Sequence, residues 1–326
     1  MPSKLAALVP VLSPAVVGGV ALAVHHFVPN THEEPLNWLA AVPAWKHPYP
    51  VVLYAVVAAS LLAALVVVAG RARETLRHLA PLFAGGTGLL AVWELVTTKM
   101  GWLQQTFFPG PDEVFAALVE DRGILAESAW SSLQLLAVGY LAGALAGVTC
   151  GVLIGWFPRV RYWAMPLIKF VGPVPATALI PVAFALFKSP FPGCVLLIAF
   201  AVWFPVTILT SSGIANVRLS YLDVARTLGA GRAYLIFRVA IPAATPHIFV
   251  GLFMGLGAAF LSLAVAETVG VQNGLGWYIN WQRGYMDYAK LYATLLICAV
   301  FFSTIMTLLF KLRDHVLAWQ KGVLKW

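Results

Sequence analysis

Among the charged side chains that fall inside long apolar runs of this 326-residue sequence, the candidates are Glu94, Lys169 and Glu267, with His247 near the start of another run. A charge in such a place is expensive, and it faces the protein interior or water. Glu267 stands near one end of its run and has two readings, a gate or pathway carboxylate, or a hydrogen-bonded anchor for the loop that follows. Lys169 lies about two turns into its run. There it meets an anionic substrate or, as its long stem favours, snorkels to the membrane face. Glu94, beside Trp93, reads as a tie between helices. Pro173, Pro175 and Pro181 interrupt one run within nine residues. The break either exposes carbonyls to a pathway or is a plain kink.

Other chemistry finds little support. His25 and His26 are adjacent, the remaining histidines are scattered, and no nucleophile or metal spacing can be drawn among Ser, His, Asp and Glu. The three cysteines, Cys150, Cys194 and Cys298, lie in apolar runs and read as small buried hydrophobes. No G-x-x-x-x-G-K-[ST] phosphate loop is present, so any ATP hydrolysis belongs to another chain. An ion-driven carrier would want repeated halves and paired acids at mid-membrane, and neither is evident.

The elements holding these residues must be membrane helices. The sequence is 61% apolar and 10% charged, whereas a soluble domain carries about a quarter charged residues. Eight runs, roughly 6–28, 49–70, 81–101, 129–156, 161–187, 193–213, 245–268 and 290–312, are each long enough for a ~30 Å hydrocarbon core. Unpaired backbone is intolerable there, so each run is expected to be helical. The net charge of +8 is spread among the loops and sets topology. Lys4, Arg71, Arg73, Arg77, Arg159, Arg161, Arg218, Arg226, Arg232, Arg238, Lys311, Arg313, Lys321 and Lys325 fall on one side. Lys46, Lys99, Arg122, Lys188, Arg283 and Lys290 fall on the other, with Glu33, Glu34 and most remaining acids. Fourteen against six, with Lys169 inside a span, places both termini in the cytoplasm. The first run resembles a secretory signal ending at Ala21-Leu22-Ala23, but Pro10 and Pro14 favour an uncleaved span. On the outer side, 110–120 reads as a short interfacial helix with Asp112 and Glu113 at its N-terminus. The aromatic residues of 267–290, set among Gly270, Gly274, Gly276 and Gly284, read as interface anchors or as ligand contacts.

One cytoplasmic segment, about 214–242, is long among short inner loops. Ser220 and Asp223 have the spacing of a capping box, which predicts a helix from about Tyr221. Gly229 offers an exit from that helix, and a second helical piece from Arg232 should stop at Pro242. Leu222, Ala225 and Leu228 form an apolar side, either docked in a partner's groove or packed under the chain's own spans.

The residues Asp223, Val224, Ala225, Gly229, Val239, Ile241 and Pro242 resemble, position by position, the E-A-A-x-x-x-G, nine residues, I-x-L-P loop of binding-protein-dependent ABC importer permeases. Trp93-Glu94, Phe108-Pro-Gly-Pro111, Gly172–Pro181 and Ala266-Glu267 are similar to features of the nitrate, sulfonate, taurine and bicarbonate group, so the resemblance covers roughly 80–326.

It implies an all-α, type I importer permease with a six-helix core (80–326) and two added N-terminal spans (1–79), a non-enzymatic subunit in a bacterial inner membrane. It also implies a second permease copy, two ATPase subunits that bind ATP and Mg, and an external substrate-binding protein. No cofactor belongs to this chain. Asp223, Val224, Ala225, Leu228, Gly229 and Pro242 would couple to the ATPase; Lys169, Pro173, Pro175 and Glu267 would serve the pathway or gate. The expected cargo is a small anion, with a thiamine-precursor pyrimidine or a flavin as the alternative. The added spans are expected to brace the permease or to contact the binding protein.

Overall fold

A computed structural model describes residues 4–31, 48–68, 73–104 and 106–319. Glu33, Glu34, Lys46, Arg71, Lys321 and Lys325, used above for topology, lie outside the described residues. The helices are α1 (Lys4–Phe27), α2 (Pro48–Val68), α3 (Arg73–Glu94), α4 (Pro111–Glu120), α5 (Arg122–Trp156), α6 (Pro158–Val171), α7 (Ile180–Leu186), α8 (Pro190–Ala215), α9 (Leu219–Thr227), α10 (Arg232–Tyr234), α11 (Ile241–Gly270), α12 (Leu275–Tyr285) and α13 (Tyr288–Val316). Proline opens α4, α6 and α8, where its missing N–H and fixed φ cost nothing.

Six helical stretches among the described residues are long and apolar enough to cross a membrane: Val9–Phe27, Leu79–Lys99, Arg122–Trp156, Pro190–Ala215, Arg232–Gly270 and Tyr288–Val316. The other two expected spans differ. Only Pro48–Ala64 of α2 qualifies, as a shorter apolar helix, and 161–187 is not one rod. It is α6 followed, after a break, by a 3₁₀ turn (Ala176–Leu179) and α7, with the two arms bent by 87°. If that pair is one span, the count is seven.

The chain divides into two compact units. One holds residues 1–123 and 281–295. Within it α1 packs on α2 and α3 through Ala21, Tyr49 and Leu53, all fully buried. Pro10 and Pro14 do not break α1. Pro14 has no N–H for the carbonyl of Pro10, and the Ser13 hydroxyl donates to that oxygen instead, at 2.6 Å. The expected interfacial helix is α4, but its apolar side is not free: Val114 and Ala117 are buried with Ala293. Lys290 reaches Asp121 at 3.0 Å and Glu120 at 3.7 Å beside it.

The second unit holds 124–280 and 296–326. Its core lines α8, where Cys194, Leu197, Ile198, Val202 and Val206 pack among Leu135, Leu136 and Ala144 of α5 and Ala259, Leu263 and Ala266 of α11. Gly139, Gly143, Gly147, Gly151 and Gly155 of α5 recur every four residues and face Ile198, Val202, Val206, Thr210 and Ile214 of α8, which recur in step. A Cβ at Gly139, Gly147, Gly151 or Gly155 would come within 2.5–2.7 Å of an α8 side chain. Lipid offers no hydrophobic drive between helices, so close approach at small residues is how they gain dispersion contact. Cys150 and Cys298 are half-buried.

Candidate functional site

α9 begins at Leu219 with Arg218 as its N-cap and no side-chain capping bond. The expected capping box therefore does not form. Ser220 lies already inside the first turn, whereas a capping hydroxyl must sit on the non-helical residue before it. Asp223 instead accepts from Arg226 Nη1 at 3.0 Å on an exposed face.

The end of α9 is more tightly specified. Gly229 has φ +84°. Its N–H donates to Arg226 O at 2.9 Å, and the N–H of Ala230 reaches back to Ala225 O at 3.0 Å. This pair of bonds around a left-handed residue is a Schellman C-cap, which glycine adopts without steric cost. The glycine of the family spacing is thus a backbone requirement. A Cβ on Gly229 would meet nothing within 4 Å, so this chain leaves room there and the φ value alone penalises substitution.

The exposed apolar residues of α9 also differ from expectation. Leu222 is turned inward and buried, while Tyr221, Val224 and Leu228 are exposed, Leu228 at 83%. Positions i, i+3 and i+7 share one helix face. Ala225 is half-buried.

Beyond Gly229 the helix does not stop at Pro242. Arg232–Gly270 runs as one helical stretch through a π-helical turn, Leu235–Ala240. Ile241 N–H bonds Ile236 O, five residues back. The wider turn comes just before Pro242, whose ring would otherwise meet the carbonyl one turn behind it.

Glu267, in α11, is 1% exposed. Its Oε1 accepts from the Ser132 hydroxyl at 2.6 Å and its Oε2 from Gly276 N–H at 2.7 Å. Ser132 Oγ in turn accepts from Leu275 N–H at 2.9 Å. The first amides of a helix have no internal partner and carry partial positive charge. Two of those of α12, at Leu275 and Gly276, are satisfied by side chains from α5 and α11. Gly274, with φ +124°, and Gly276 make room: a Cβ on either would come within 2.5 Å of the Glu267 carboxylate or Ala264 O, respectively. This is the anchoring arrangement; Ser132 escaped sequence reading because no spacing links position 132 to 267, and Gly274 and Gly276 were read only as part of a glycine- and aromatic-rich stretch.

Lys169 is exposed near the end of α6. Gly172 keeps helical dihedrals, whereas Val174 precedes a proline, a position that disfavours helix, and Pro175 is extended with ψ 131°. The 87° bend follows, with Pro173 and Pro175 exposed and the Phe204 ring lying where a Gly172 side chain would be. The expected site residues thus occupy three places: Asp223–Gly229 on the α9 knob with Pro242 up the following helix, Lys169 with Pro173 and Pro175 at the bend, and Glu267 in the α12 anchor.

Residues 141–320, more than half of the chain, match the family of binding-protein-dependent transport system inner membrane components, and the chain belongs to that family. It is 31% identical over 238 residues to the putative aliphatic sulfonates transport permease protein SsuC of Bacillus subtilis (strain 168), covering 72% of this chain and 85% of that one. It is 29% identical over 213 residues to the nitrate import permease protein NrtB of Leptolyngbya laminosa, covering 63% and 76%. Its fold is that of a chain of the inward-facing MetNI methionine ABC transporter, with TM-score 0.53 at 15% identity over 60% of this chain and 98% of that one. The protein is a multi-pass inner-membrane permease subunit of a binding-protein-dependent ABC importer.

Proposed function

We propose that the subunit forms the path for a small anion of the sulfonate, nitrate, taurine or bicarbonate kind, and that α9 seats in a groove of a separate ATPase. The seating is supported above all by the exposed row of Tyr221 and Val224 on the nine-residue helix and Leu228 at its C-cap, with Leu222 turned away and buried. An apolar helix face at a watery surface is the form that groove recognition takes. The chain itself is no enzyme; ATP and Mg belong to the ATPase. Two permease copies stand over two ATPases, a binding protein delivers cargo from outside, and both termini are cytoplasmic. ATPase closure pushes α9. The rigid C-cap at Gly229 and the helix through Pro242 carry the motion into α11. Lys169, Pro173, Pro175 and Glu267 are assigned to the pathway side, Glu267 through its hold on α12.

Gly229→Trp tests this. A Cβ at this position meets nothing within 4 Å, and holding a side chain in the left-handed region costs about 1–2 kcal/mol. The variant is expected to accumulate in the membrane and to lose substrate-stimulated ATP hydrolysis. Normal stimulation in that variant would remove α9 from the coupling contact.

A further inference from the structure

Buried charge inside a membrane segment survives only beside groups that satisfy it. Glu94, at the C-terminal end of α3, is 2% exposed, and Lys99, at the end of the following π-helical turn (Leu95–Lys99), is buried as well. Most of the groups around them come from the first two helices. His25 Nδ1 lies 2.7 Å from Glu94 Oε1, and Tyr49 Oη donates to Glu94 Oε2 at 3.1 Å. A carboxylate accepts and does not donate, which assigns the ring proton to Nδ1.

Lys99 Nζ donates to the carbonyls of His25 at 2.8 Å and Val28 at 2.7 Å and stands 3.9 Å from Glu94 Oε1. The carbonyl of His25 would look to residue 29 for its helical partner, and residue 29 is proline, which has no N–H. The ammonium fills that vacancy at the negative end of α1. Thr31 continues the seam: its N–H donates to Thr98 O at 3.2 Å and its hydroxyl to Lys99 O.

The end of α3 is in turn the footing of α4. Trp93 Nε1–H donates to Pro109 O at 3.1 Å, and the Thr98 side chain stands where a Gly110 side chain would go. We propose that α1 and α2 are an intrachain clamp, supplying the countercharge and hydrogen-bond partners that hold the Glu94–Lys99 turn, and with it the footing of α4, in one position. They are not a detachable addition to the permease.

The rival account is dry packing, since Ala21 and Leu53 also bury against Leu90 and Ala91. The two separate in the full chain within its transporter. A protease site inserted between Pro35 and Leu36 is cut after extraction in mild detergent, and retention of the α1 fragment through washing is measured. The fragment should stay in the parent. It should leave at least about tenfold faster when Lys99→Met or His25→Ala is present, a factor worth about 1.4 kcal/mol. Gly19→Ala, at a position open to 4 Å, should not change its release.

Equal retention in all variants would overturn the clamp in favour of packing. If a single substitution prevents accumulation, the deciding comparison is Glu94→Gln with Lys99→Met together. Removing one member of a buried pair strands the other, whereas removing both does not. Accumulation of the double variant above the worse single supports the clamp. A double variant no better than the worse single overturns it.

Discussion

Where α5 lies on α8, the fit is made by omission: five glycines four residues apart keep side chains out, and Val202, Val206 and their neighbours fill the space. Where α3 meets α1 and α2, the fit is made by supply, through His25, Tyr49 and Lys99 around the Glu94 carboxylate. Both answer the same difficulty, that lipid provides no solvent pressure to push helices together. They fail in opposite ways. The first should break when atoms are added and the second when polar atoms are taken away.

The largest effect is expected at the glycine stripe. A Gly147 Cβ would stand 2.7 Å from Val206 Cβ and 3.1 Å from Trp203 O, so Gly147→Leu must part the two backbones. Overpacking of a tight contact costs about 1–3 kcal/mol, and more where backbone blocks the way. We expect accumulation and detergent melting temperature to collapse together. Gly257→Ala in α11, with nothing within 4 Å, is the matched addition; it should leave both unchanged or raise stability by up to about 1 kcal/mol. Similar behaviour of the two variants would mean that α5 and α8 are not held by close approach.

Next in size is the anchor of α12, a second case of supply. Glu267→Ala leaves Gly276 N–H and the Ser132 hydroxyl without their acceptor. Each stranded buried group costs about 1–3 kcal/mol. Glu267→Gln retains a carbonyl oxygen for one of them and should lose roughly half as much. Hydrogen exchange at Gly276 distinguishes local from global loss: it should speed up in both variants, more in the alanine. Protection unchanged in Glu267→Ala would show that α12 does not depend on this carboxylate.

Six of the eight expected spans were legible because an apolar run in lipid has to be helical, and the turn after α9 because its glycine is required by a left-handed C-cap. What escaped shows where one-dimensional reading ends. Ser132 and Glu267 meet 135 residues apart, and His25 and Tyr49 reach Glu94 across intervals of 69 and 45 residues that no local pattern marks. The glycine stripe was legible in principle, since position 139 and every fourth residue to 155 is glycine; only its partner row on α8 needed the fold. The capping box at Ser220 and the stop at Pro242 were misread for a common reason. Both are local rules, and here the helix starts before the first and a π-helical turn carries it past the second.

The smallest effect on stability is expected on α9, which offers neither omission nor supply to the rest of its chain. Asp223 and Arg226 pair at 3.0 Å with side chains 64% and 54% exposed. Exposed pairs of this kind are worth about 0.5 kcal/mol or less. Arg226→Ala should therefore barely move the melting temperature, and Leu228→Asp, at a residue 83% exposed, should do the same. A carboxylate placed in a dry partner groove is another matter, because it must shed water without gaining a partner. Leu228→Asp is accordingly expected to lose co-purifying ATPase while its own melting is unchanged. If Leu228→Asp instead destabilises the isolated subunit, α9 packs on its own chain in solution. The contrast between a sealed interior and an open knob then disappears, and the exposed row ceases to mark the motor's seat.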